Sequence, residues 1–94
     1  MKTGIELIAQ ERAEQIEKHG RTVENDVIEN GFNQLKSGAI MLLDGYPHQD
    51  EYNDTPFNWD EKIWQHMVSK PTKERLVIAG ALIAAEIDRI QSLQ

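Results

Sequence analysis

The side chains best placed to do chemistry in this chain are two charges set among aliphatic neighbours. Glu86 stands inside the stretch LIAAEIDRI (82–90), and Arg12 stands in line with Ile5, Ile8, Ala9 and Ile16. A carboxylate in an apolar surround can ligate a divalent cation, orient a water or move a proton. A guanidinium there can grip a phosphate or a carboxylate in a two-pronged fork. An unpaired buried charge is costly unless its pKa shifts it to neutrality, and arginine does not neutralise. Arg12 and Glu86 are therefore expected to meet as a buried pair, with a ligand site as the alternative for both. Snorkelling to solvent is the other outlet for Arg12, and plain exposure the other outlet for Glu86.

The remaining candidates are weaker. Glu11, Glu14 and Glu17 are spaced i, i+3, i+6, and Asp26 and Glu29 are spaced i, i+3. Both sets point away from the apolar stripes of their helices, so both read as solvated acidic faces. His19, His48 and His66 share no short spacing, and there is no cysteine, so neither a histidine zinc site nor a thiolate site or disulfide is expected. No glycine-rich phosphate loop is present, and no serine has the context of a nucleophile. Tyr52, Phe57, Trp59 and Trp64 gather in one region. They read either as a cap on the core or as a lid and interaction surface. No residue is assigned a catalytic role and none a metal, which favours an interaction or regulatory role over catalysis.

The elements that must position these groups follow from hydrophobic spacing. Apolar residues recur at helical intervals over 4–18, with Gly20 as the stop, and over 23–43, with Thr22 as N-cap and Glu24 in the first turn. Residues 45–58 lack periodicity and read as a long loop. A short helix is expected over 59–68, with Asn58 as a candidate N-cap and Trp59, Ile63, Trp64 and Met67 on its apolar side. Pro71 suits the first turn of a last helix whose periodic part runs over 76–93. On a helical wheel, Leu76, Ala79, Gly80, Leu82, Ile83, Ile87, Ile90 and Leu93 share a sector of roughly 160°. Glu86 falls inside that sector, and Asp88 and Arg89 fall outside it. Gly80 with Ala79, Ala81, Ala84 and Ala85 would let another backbone come close. The expected architecture is all-α: one domain over 1–94, three longer helices and one short, completed by dimerisation.

Bulk properties narrow the function classes. The chain has 94 residues and a net charge of −6, with ten scattered basic residues, which disfavours a nucleic-acid backbone as partner. No apolar run approaches the ~20 residues of a membrane span. The N-terminus becomes charged too early for a secretory signal. The expectation is a cytoplasmic protein that does not engage a membrane, with a second copy or another protein as partner.

Two resemblances add to this. The segment ERAEQIEKHGRT, the later Asp and Asn-Gly, the two tryptophans and the segment KERLVIAGALIAAEIDR resemble small helical proteins of phages, prophages and Bacteroides-type mobile elements. The likeness covers most of the chain and is sharpest over 74–89. It implies an interaction or regulatory protein of a mobile element. The final helix also resembles, loosely, helices of the MazG-like all-α nucleotide pyrophosphohydrolases, which are Mg²⁺-dependent oligomers that cleave nucleoside triphosphates. That likeness implies Mg²⁺ as cofactor, Arg12 on a phosphate and Glu86 on the metal or a water. The pattern departs from that family, since Arg89 and not an acid stands at i+3 from Glu86. The one upstream Glu-x-x-Glu on a helix is Glu11 with Glu14.

Overall fold

The computed structural model of the chain describes residues 1–20, 22–31, 33–44 and 55–93. Phe32, His48, Tyr52 and most of the expected 45–58 loop, with Asp50, Glu51 and Asp54, lie outside the described residues. So do the side chains of His19 and Glu29. Among the described residues there are five helices and no strand: α1 (Gly4–His19), α2 (Val23–Glu29), α3 (Gln34–Leu43), α4 (Glu61–Val68) and α5 (Thr72–Ser92). The chain is all-α, as its periodicity predicts. None of these helices is long and apolar enough to cross a membrane.

Local chemistry sets the helix ends. Thr3 and Glu6 form a reciprocal capping box: Thr3 Oγ1 accepts from Glu6 N at 3.2 Å, and Glu6 Oε1 accepts from Thr3 N at 2.7 Å. Gly20 ends α1 in the left-handed region, at φ 64°, where a side chain would be strained. Thr22 caps α2 as expected, accepting from Asn25 N at 3.2 Å. At α4 the cap is Asp60, which accepts from Ile63 N at 3.0 Å. Asn58, the expected cap, instead takes a left-handed turn at φ 71°, which leaves Trp59 ahead of the helix.

The helix expected over 23–43 is two helices. Asn30 ends α2, and Asn33 opens α3 in the left-handed conformation at φ 68°. Asn30-Gly31 is a turn-forming pair, so a continuous helix would carry a poor former at its centre. The break frees the Asn30 side chain for tertiary bonds.

α5 is the central helix, packed against α3, α1, α2 and α4. Its inward face is Ile78, Ala79, Ala81, Leu82, Ala85 and Glu86. That is a correction to the expected sector. Leu76, Ile83, Ile87, Ile90 and Leu93 are 43–61% exposed. The alanine side wins because it lets neighbours close in, and the fit is tight. A Cβ on Gly38 of α3 would stand 3.0 Å from the Trp59 ring. One on Gly80 would stand 2.6 Å from Ile8 Cδ1 of α1. Leu35, Leu42, Trp64 and Leu82 are fully buried at the centre, each leucine stabilising the fold by about 1.5–3 kcal/mol.

α1 also turns differently from expectation. Ile5 is 82% exposed and Ile16 is exposed as well, while Gln15 is buried and Leu7, Ile8, Glu11, Arg12 and Glu14 are half-buried. The inward side of α1 is largely polar.

Candidate functional site

Glu86 does enter the core, at 8% exposure, but its partner is not Arg12. Arg89 donates Nε to Glu86 Oε1 at 2.8 Å and Nη2 to Oε2 at 3.0 Å. This two-pronged pair within α5 replaces the expected Arg12–Glu86 pair. The reason is the rotation of the buried face. Once it is centred on Ile78, Leu82 and Ala85, Arg89 lies inside it, and an i, i+3 partner needs no tertiary alignment. The Arg89 pKa is pushed above the ordinary arginine value, first by the hydrogen bond with Glu86, against desolvation, with the charges of Glu86 and Asp26 adding.

Arg12 spans α2 and α5 instead. Its Nη2 lies 3.5 Å from Asp88 Oδ2 and 4.0 Å from Asp26 Oδ2. Asp26 is fully buried, and its Oδ1 accepts from Asn30 Nδ2 at 2.7 Å. Asn30 Oδ1 in turn accepts from Trp59 Nε1 at 2.8 Å. A polar layer therefore runs from the turn before α4, through α2, to α1 and α5. It joins two guanidiniums to three carboxylates. Its bonds brace helices against one another, which is a structural role for most of its members.

The aromatic group divides. Trp64 is fully buried and meets Trp59 edge-on, with ring centroids 5.6 Å apart. Trp59 is half-buried over Gly38. These two cap the core, and the reading of Trp64 as part of a lid is corrected. Phe57 is 62% exposed, and Tyr52 lies outside the described residues.

A second feature was not foreseen. A cleft of about 840 Å³ opens between α1, α4 and α5. Its apolar floor is Leu7, Ile63, Met67, Val77 and Ile78, and its rim carries Glu11, Glu14 and Glu74 with Lys62, Lys70, Lys73 and His66. Glu11 and Glu14 were expected on a solvated face; they are half-buried and line this cleft, while Glu17 is exposed. Gln15 lines it too. Its Nε2 donates to Glu11 Oε2 at 3.3 Å, and its buried carbonyl oxygen accepts no hydrogen bond among the described residues. The signal was in ERAEQ: a wheel centred on Leu7, Glu11 and Gln15 gives the observed inward side. Among the described residues no three His, Cys, Asp or Glu side chains are grouped to hold a metal ion.

Sequence reasoning also passed over Arg75. It donates to Leu42 O at 2.8 Å and Lys70 O at 2.9 Å, tying the C-terminal end of α3 to the turn before α5. A cation among final helical carbonyls is favourable there.

Fold and site together define a small all-α protein with, among the described residues, a buried ion network and a mixed-charge cleft. No family model, no curated protein and no solved structure matches the chain.

Proposed function

We propose that this chain is a small helical interaction protein that acts as a cytoplasmic homodimer, in the phage or mobile-element setting its sequence resemblance implies. The observation that carries this reading is the outward face of α5, where Leu76, Ile83, Ile87, Ile90 and Leu93 remain exposed while alanines fill the interior. A chain this small gains core by association. The network around Glu86 supports the same reading, because both carboxylate oxygens are taken by Arg89. Light scattering tests it. Twice the chain mass is expected at protein concentrations up to about 100 µM, and a single-chain mass at the top of that range overturns it.

The cleft favours a second reading, a Mg²⁺-dependent nucleotide site of MazG-like type. Glu11 and Glu14 sit one turn apart on its wall, Lys62, Lys70 and Lys73 stand on its rim, and the Gln15 carbonyl oxygen is an open acceptor. Mg²⁺ takes one or two carboxylates and completes its octahedron with phosphate oxygens and water. Glu11 and Glu14 would hold it and the lysines would meet the phosphates. In this reading they replace Glu86 and Arg12, which are engaged by Arg89 and by Asp26 and Asp88.

A further inference from the structure

We infer that the outward stripe of α5 is the seam of the dimer, with Leu76, Ile83, Ile87 and Ile90 of one copy packed on the same residues of a second. This rests on the homodimer reading and adds where the two copies meet. Leu76, Ile83, Ile87 and Ile90 follow one another at intervals of seven, four and three residues, and Gly80 between them is already occupied by Ile8 of α1. That spacing is the seam of paired helices, in which large aliphatic side chains of one helix enter gaps in the other. The four large residues are 47%, 43%, 50% and 44% exposed.

Charge selects a second copy as the occupant. With Leu93, the stripe offers roughly 400 Å² of aliphatic surface, half of the ~800 Å² that each partner gives to a standard interface. The seam is therefore a small one: Ala84 and Gln91 flank it, both uncharged, whereas Ala79 is buried and Gly80 is covered by Ile8 of α1. The chain carries a net charge of −6, so two copies repel over most of their surfaces. From Leu76 to Ala85 there is no ionisable side chain, and the next one, Glu86, is neutralised by Arg89. This is the face on which two acidic chains meet without bringing carboxylates together.

The test substitutes Ile83→Asp with Ile87→Asp in the full chain and measures mass by light scattering, with helicity followed by circular dichroism. Both side chains are half exposed, so the fold is expected to survive and the mass to fall from two chains to one. Ile28→Asp, on the exposed side of α2, is expected to leave the dimer intact. As a second measurement, Ile87→Cys places the sole thiol in a chain that has none. A short thiol-to-thiol reagent is expected to link two copies through it, and not through Ile28→Cys. A dimeric wild type whose Asp variant stays dimeric, or whose Ile87→Cys form does not cross-link, overturns the seam and leaves the dimer reading standing. A monomeric wild type overturns both.

Discussion

Removing Glu86 strands Arg89, its neighbour one turn along, and leaves Arg12 with its own carboxylates. Both Glu86 oxygens accept from one guanidinium whose side chain is 12% exposed. Glu86→Ala therefore leaves a nearly buried cation without its fork, and the expected loss is about 3 kcal/mol of unfolding free energy. Urea denaturation measures it, and a loss below about 1 kcal/mol refutes the brace. Adding Arg89→Ala is expected to recover part of the loss, because the double variant buries no orphan charge. The pH dependence has a definite sign. Arg89 is raised in the folded state, so its contribution is fully present below the ordinary arginine value. It is lost only as pH rises through the raised value. Titration from neutral pH to ~10 is expected to leave this pair intact. The anomaly at Glu86 was legible in the sequence, because a carboxylate in LIAAEIDRI must find a partner. The partner was not, since a small rotation of the assumed buried face moves Arg89 from outside to inside.

Helix-level packing turns on two glycines that accept a neighbour. At Gly38 two effects oppose each other. Alanine gains about 1 kcal/mol of helix propensity over glycine. Its Cβ would stand 3.0 Å from two Trp59 ring atoms and 3.4 Å from Leu82 Cδ1. Trp59 cannot easily retreat, because its indole N–H is held by Asn30 at 2.8 Å and its ring meets Trp64. Overfilling such a contact costs about 1–3 kcal/mol, so Gly38→Ala is expected to lose about 1 kcal/mol net. In a domain of this size that lowers the melting temperature by about 4–8 °C. A rise in melting temperature would show that the Trp59 ring yields. Other glycines mark what the sequence reveals about elements. Gly20 and Thr22 announced their boundary, and both do what their types predict. Asn30-Gly31 was an equally plain turn signal, but apolar spacing runs through it from Ile28 to Leu35 and hides the break. Reading the spacing through that turn puts Ile28 on the buried side with Leu35, whereas Ile28 is 78% exposed and Asp26, expected on a solvated face, is buried in its place.

At the scale of the whole molecule, composition and spacing were enough to give an all-α chain, because amphipathic helices need only a period. They were not enough to say which faces meet. α5 is apolar on most of its circumference, and the face that packs is decided by close approach of α1 and α3, which no single-helix wheel contains. The cleft went unseen for the same reason: it takes Glu11 and Glu14 from α1, Lys62 from α4 and Lys73 from α5. Its ligand reading is open to a test that involves the entire fold. A ligand that binds only the folded state, present at 100 times its Kd, stabilises by about 2.7 kcal/mol. In a chain of 94 residues that corresponds to a rise of about 10 °C or more in melting temperature. A thermal-shift screen of ribo- and deoxynucleoside triphosphates, each with and without Mg²⁺, is expected under the nucleotide reading to give a shift of that order that requires the metal. Glu11→Gln with Glu14→Gln should abolish the metal dependence, and Lys70→Ala with Lys73→Ala should weaken the shift for every nucleotide. A screen flat at millimolar nucleotide overturns that reading. It leaves the dimer reading untouched, since the α5 stripe and the cleft share no side chain.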